Sequence, residues 1–379
     1  MTVLETFAPR TGKAEISVLP DVASMTAIWA RVLNSGPVTP DADFFDLGGD
    51  SLLAMGLVLE IERQTGCRIP FTAIYDAPTP EQLLAHLRSE AQTEFSPLVC
   101  LKPGHGGTPL FIVHGIGGSV MELAQLAKSI ECDGPVYGIQ AKGLDGVEQP
   151  LTNVDDMADY YCEAIREVQA VGPYQLGGYS FGGLVAMEIC RRLQAQKESI
   201  GLLLMIDSYA HPKTWPRSTR LLMLGRRTLR RASRLMKQPL MASVRELKEA
   251  GAEKLFWRRE HSASSIVSQG QGGWLNEYIE RLSPELRRVS MAGMQGLKSY
   301  KLRPYDGPVT FIRARTWDPK FPFDPRPIWR HIARPLTVRT VHGSHLTMVG
   351  EHVSHLAACV SDCLARAAEP LEMTGHDGG

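Results

Sequence analysis

Ser180, Asp207 and His345 supply a nucleophile, an acid and a base, each in a segment expected to turn at the end of a strand. Ser180 is the centre of Gly178-Tyr179-Ser180-Phe181-Gly182, which follows one apolar run and opens a helical pattern. A strand-to-helix turn that tight needs glycines where side chains would clash, and it lifts the serine hydroxyl above the sheet. Serine is a poor nucleophile until a base removes its proton. His345, in Val341-His342-Gly343-Ser344-His345-Leu346-Thr347-Met348, is the candidate base, and His342 is its rival. A carboxylate must fix the imidazole tautomer and stabilise the imidazolium. Asp207 directly follows the apolar run 202–206 and is favoured; Asp318, beyond the next run, is the alternative and otherwise reads as a turn residue beside Pro319. The charge that develops on a carbonyl oxygen under attack needs N–H donors. Phe181 is one candidate, and Ile116, in the loop His114-Gly115-Ile116-Gly117-Gly118, is the other. The chemistry such a set would do is acyl transfer through a serine ester.

These residues need a scaffold. Apolar runs at 110–113, 136–139, 174–176, 202–206, 309–312 and 336–338 alternate with helical stretches such as 155–169 and 183–195. That alternation predicts an α/β domain over 106–370, a mostly parallel sheet with helices on both faces. Residues 211–300 interrupt it with a long, mainly helical insertion, expected to be an active-site lid. Residues 217–237 carry eight Arg and Lys and no acidic residue, which reads as a lid helix with a solvated basic face. Trp257, Trp274 and Met291 read as lid core.

Ahead of the α/β domain, residues 1–20 read as a flexible lead-in, 21–90 as a small four-helix all-α domain, and 91–105, with Pro97 and Pro103, as a linker. Met25, Ile28, Trp29, Val32 and Leu33 recur at helical spacing, and Thr79-Pro80-Glu81 opens a later helix with proline in its first turn. Ser51 follows Gly48-Gly49 at the start of a helix, among Asp46 and Asp50. By position alone such a serine is an N-cap.

Composition narrows the classes. Apolar residues make up 44% of 379, and 41 basic residues balance 41 acidic ones, so the whole-chain charge calls for no nucleic-acid or membrane partner. Seven cysteines without paired spacing point to free thiols in a reducing cytoplasm. Cys359 and Cys363 lack further ligands at zinc-like spacing, so no metal is expected. No apolar run reaches membrane-spanning length, and the segment around Glu5 has no signal-peptide core. No Gly-x-Gly-x-x-Gly turn opens the α/β region, which disfavours a reductive domain.

Residues 43–52, Asp-Phe-Phe-Asp-Leu-Gly-Gly-Asp-Ser-Leu, resemble the phosphopantetheine attachment motif of peptidyl carrier proteins, a resemblance that covers about 21–90. Residues 109–365 resemble the terminal thioesterase domain of nonribosomal peptide and polyketide synthases, through Phe111–Gly118, Gly177–Gly183, Leu204–Ser208 and Gly343–Met348. The resemblance implies that Ser51 carries a 4′-phosphopantetheine arm, installed by a phosphopantetheinyl transferase. It implies upstream synthase domains that deliver an acyl or peptidyl thioester, and release of that chain through an acyl-Ser180 ester by hydrolysis or cyclisation. The family commonly takes its acid from the strand after the nucleophile, which favours Asp207. Two alternatives stand beside it: an editing thioesterase that clears misloaded carriers, and a non-catalytic carrier and docking module. The long insertion departs from a compact family member, and the start at Met1 without an upstream catalytic domain suits either an excised end or a freestanding didomain.

Overall fold

The chain divides into two compact units, residues 1–95 and 96–379. A computed structural model describes residues 20–49, 51–65, 73–88, 95–236, 284–318 and 321–368.

The first unit is helical. α1 (Val22–Val32) starts at Asp21, whose carboxylate accepts the Ser24 N–H at 2.8 Å. α2 spans Ser51–Thr65, α3 is the single turn Ala73–Asp76, and α4 spans Pro80–Arg88. Thr79 Oγ1 caps α4 by accepting the Gln82 N–H, and Pro80 fills a first-turn position that needs no donor. Apolar residues three and four apart bring Met25, Ile28 and Trp29 against Leu57, Ile61, Ile74 and Leu83, all fully buried. Phe44 joins them edge-on to Trp29, with centroids 6.2 Å apart.

The second unit is built on a sheet that has seven strands among the described residues: β1 (Leu98–Lys102), β2 (Leu110–Val113), β3 (Val136–Ile139), β4 (Tyr174–Tyr179), β5 (Ile200–Ile206), β6 (Tyr305–Ala314) and β7 (Ala333–Val341). Their order is β1-β3-β2-β4-β5-β6-β7, with every neighbour parallel except β1, which runs antiparallel to β3. The expected linker 91–105 is therefore corrected over 98–102. That segment alternates buried and open residues and pairs as an edge strand, where nearby Pro97 and Pro103 cost no ladder bond.

Strand periodicity sorts the buried residues onto two faces. Phe111, Val113, Tyr174, Leu176, Leu203, Met205, Val309 and Phe311 form one core with α6 (Val154–Val168) and α7 (Gly182–Ala195). Leu110, Ile112, Leu204, Ile206 and Ile312 point the other way and are buried as well. The helices α5 (Ala124–Ser129) and α11 (Val353–Ala368) pack on each other and on the sheet. Between them lie α8 (Arg217–Met236), α9 (Pro284–Ser299) and the turn α10 (Arg326–Trp329). Among the described residues no helix is long and apolar enough to cross a membrane.

Candidate active site

The serine turn begins with β4, which is central and buried at every residue but Gln175. Ser180 then takes φ +56° in the left-handed region before α7 begins. A Cβ on Gly178 would stand 2.2 Å from the Gly182 carbonyl carbon, and one on Gly182 would stand 2.3 Å from His114 O. The two glycines let three backbone segments meet behind the serine. A left-handed non-glycine residue costs about 1–2 kcal/mol, so the surroundings must impose it. Here the Ser180 N–H donates to Ile206 O at 2.8 Å, which ties the turn to the end of β5.

Asp207 stands next to that bond and is also left-handed, at φ +45°. Its own N–H donates to Ile312 O at 2.7 Å, so the next strand holds it in turn. One carboxylate oxygen accepts the Ala314 N–H at 3.2 Å, and the other lies 2.8 Å from His345 Nδ1. This pairing puts the imidazole proton on Nδ1 and leaves Nε2 as the basic nitrogen. Asp207 is the more enclosed partner, with 12% of its side chain exposed against 33% for His345. The loop that carries His345 is fixed by Gly343 at φ +91° and by Thr347 Oγ1, which accepts the Ser344 N–H at 2.8 Å.

The rival residues lie elsewhere. His342 is exposed, stacks near His355 at 4.4 Å, and has its pKa lowered chiefly by the charge of Arg315. Asp207, not Asp318, is the carboxylate on His345 Nδ1; the Asp318 carbonyl accepts the Phe321 N–H. Among the described residues no hydrogen bond joins Ser180 Oγ to His345, as is common in serine enzymes without substrate. Neither the Phe181 N–H nor the Ile116 N–H donates to a backbone partner there.

Four features of the site carry weak signals in the sequence. Tyr179, only 2% exposed, stacks on the His345 ring at 5.0 Å and 19°, and its hydroxyl donates to His345 O at 2.6 Å. His114 is buried with Nδ1 against Gly115 O and Nε2 2.9 Å from the Tyr161 hydroxyl; burial lowers it to about 4, so it is a neutral strut under the glycine loop. Glu122 lies against that loop, its carboxylate 2.5 Å from the point a Gly115 Cβ would occupy. Finally, α9 packs directly on the loop. A Cβ on Gly118 would meet Val289 at 2.2 Å, and one on Gly293 would meet Ile116 O at 3.3 Å.

This last contact refines the lid expectation. α9 buries Leu286, Val289, Ser290 and Gly293, whereas α8 leaves Leu221, Leu222, Leu224 and Leu229 exposed beside its arginines. Met291 is 60% exposed, which corrects its reading as lid core: it sits on the outer side of α9, away from the buried Val289–Ser290–Gly293 side. Trp257 and Trp274 fall outside the described residues.

In the first unit, Ser51 is the first residue of α2. Asp43 Oδ1 accepts the N–H groups of Phe45 and Asp46, and the loop folds back so that Gly49 N donates to Phe44 O at 2.9 Å. A Cβ on Gly49 would lie 2.3 Å from the Phe44 ring, so only glycine fits. The first N–H groups of a helix lack intrahelical partners and favour phosphate, which suits a serine-linked phosphodiester.

A parallel sheet with a serine on a left-handed turn after its central strand, and an acid and a histidine at later strand ends, defines a hydrolase of the α/β class. Residues 108–257 match the family model for the thioesterase domain, and residues 23–87 match the model for the phosphopantetheine attachment site. The chain is 37% identical over 202 residues to a dimodular nonribosomal peptide synthase of Bacillus subtilis (strain 168), covering 53% of this chain and 8% of that one. It is 35% identical over 201 residues to an indigoidine synthase of Streptomyces lavendulae, covering 51% and 16%. The chain thus spans a small fraction of the length of these relatives. Among solved structures, holo-AB3403, a four-domain nonribosomal peptide synthetase, superposes with a TM-score of 0.52 at 22% identity, over 93% of this chain and 27% of that one. The chain thus carries a stretch matching the phosphopantetheine attachment-site model ahead of a stretch matching the thioesterase-domain model.

Proposed function

We propose that this didomain releases an acyl or peptidyl chain through an ester on Ser180. The observation that carries the reading is the Asp207–His345 pair at 2.8 Å, formed between the end of β5, the strand beside the serine turn, and the loop after β7. Ser51 is the attachment residue, and when the phosphopantetheine arm is bound there it supplies the thioester-linked chain. Ser180 Oγ attacks the thioester carbonyl while His345 Nε2 takes its proton and Asp207 stabilises the imidazolium. The N–H groups of Phe181 and Ile116 hold the oxyanion. As the C–S bond breaks, His345 gives its proton to the leaving sulfur, and the acyl group remains on Ser180. Water, or an internal amine or hydroxyl of the chain, then gives a proton to His345 and attacks the ester, and Ser180 regains its hydroxyl. Release is favoured over editing and over a docking role by the presence of an attachment domain and a thioesterase domain in one chain. Upstream synthase domains and a phosphopantetheinyl transferase are the partners this reading requires, in a cytoplasmic setting.

An intact-mass time course tests it. Ser51 is loaded enzymatically from acyl-coenzyme A donors. The mass gain should decay in the wild type and persist in Ser180→Ala. Equal decay in both would remove Ser180 from the mechanism, and the product mass, free acid or ring, identifies the second nucleophile.

A further inference from the structure

We propose that Tyr179 and Glu122 are positioning residues for His345, Tyr179 holding the ring by its face while Glu122 ties the oxyanion loop to the same spot and adds a second negative charge there. The inference rests on the serine-hydrolase reading above. Asp207 grips the imidazole by one edge, and a single edge bond leaves the ring free to tilt about it. Tyr179 removes that freedom twice. Its ring lies nearly parallel to the imidazole, 19° apart, and its hydroxyl fixes the His345 backbone carbonyl at 2.6 Å. Tyr179 is itself clamped, being the last residue of β4, paired with Ile206 and joined to Ser180. One residue therefore sets the spacing between the nucleophile's backbone and the base's ring.

Glu122 enters from the other side of the glycine loop. It sits in the turn Met121–Leu123, between two buried apolar neighbours, and its carboxylate lies close enough to Gly115 for the Gly115 N–H to lower its pKa. The same point in space, where a Gly115 Cβ would be, is 2.5 Å from Glu122 Oε1 and 3.2 Å from Tyr179 Cδ1. Gly115, Glu122, Tyr179 and His345 are thus one contiguous cluster. The titratable groups that face Glu122 are His345 from the β7–α11 loop and Tyr179 from β4, with Asp207 beyond the imidazole; His114 turns away to Tyr161. Burial raises the Glu122 carboxyl to about 7, and the His345 charge and the Gly115 N–H oppose that rise. Glu122 therefore changes charge near neutrality, and its ionised form favours the imidazolium.

The test reads Ser180 reactivity toward a fluorophosphonate across pH 5–9 in the full chain, a probe that needs no knowledge of the natural acyl group. Glu122→Gln keeps the acceptor and removes the charge, so the acid limb should lose the contribution that Glu122 makes near neutrality. Tyr179→Phe keeps the ring and removes the hydroxyl, so the rate should fall on the order of tenfold with the limb unmoved. Tyr179→Leu should lose more. Curves for Glu122→Gln and Tyr179→Phe that superimpose on the wild type overturn the proposal, whereas an unreactive wild type overturns the serine-hydrolase reading instead. Should Glu122→Gln fail to fold, the imidazole resonance of His345 in the wild type, assigned with His345→Gln, decides: two inflections support a neighbouring carboxyl, and a single one refutes it.

Discussion

At the residue scale, the site depends on two side chains held in conformations that L-residues avoid. Ser180 and Asp207 are both left-handed, and each is pinned by a backbone bond to the next strand, Ser180 to Ile206 and Asp207 to Ile312. Asp207 therefore has two separable duties. One oxygen anchors its own turn through Ala314 N, and the other fixes the His345 tautomer. Asp207→Asn keeps an oxygen for Ala314, but its amide presents an N–H where the imidazole needs an acceptor. The imidazole then flips its proton to Nε2 and loses its basic nitrogen there. Release should slow by about 10³–10⁴-fold with little change in melting temperature, measured by single-turnover kinetics beside a thermal melt. Ser180, Asp207 and His345 could be singled out because their types and order leave few choices, and it is the distances that bring Asp207 rather than Asp318 to His345 Nδ1. Tyr179 and Glu122 were not legible. A tyrosine inside a serine turn and a glutamate after a glycine loop have no spacing rule, and only the fold brings them to His345.

At the element scale, the glycine loop 114–118 is held by β2 before it, by Glu122 beneath it and by α9 across it. Helix–loop contact this close requires small residues on both sides, and Gly118 faces Val289 while Gly293 faces Ile116. Gly118 also has φ +80°, so any side chain there is strained before it meets Val289. Gly118→Ala should push α9 off the loop and misplace the Ile116 N–H. We expect a loss of about 1–3 kcal/mol in unfolding free energy and a fall in kcat larger than the change in KM, both removable in part by pairing it with Val289→Ala. Chemical denaturation and steady-state kinetics on the single and double variants check this. Most strands were readable because buried parallel strands are continuous apolar runs, as in Leu202–Ile206. β1 escaped because an edge strand between prolines has neither a long run nor a strong alternation. α9 reads from the sequence as part of a lid because its contacts with the loop, Val289 against Gly118 and Gly293 against Ile116, follow no spacing rule.

At the scale of the whole second unit, two groups under the same loop, His114 buried and Glu122 half-buried, pull stability in opposite directions with pH. His114 has its pKa lowered by burial from the ordinary 6.5 to about 4. Between those values the unfolded chain binds a proton that the folded one refuses, so stability rises with pH, by about 3 kcal/mol across the window. Glu122 has its carboxyl raised by burial from 4.5 to about 7, so over that range the folded chain holds a proton that the unfolded one has lost. Its contribution falls as pH rises. The windows overlap between 4.5 and 6.5, where the two slopes oppose and the unit should show a flattened stability profile. Removing either group should unmask the other. Glu122→Gln leaves the His114 slope, so acidification from pH 6.5 to 4.5 should destabilise it more steeply than the wild type. His114→Gln keeps a donor and an acceptor for Gly115 O and Tyr161, removes the buried base, and should gain stability over the same interval. Urea unfolding of the three proteins at half-unit steps of pH, followed by a signal from the second unit, reads the slopes directly. Parallel curves for all three would mean that neither group changes its proton affinity on folding, and would also withdraw the electrostatic part of the Glu122 proposal while leaving the Tyr179 contact to His345 to stand on its geometry.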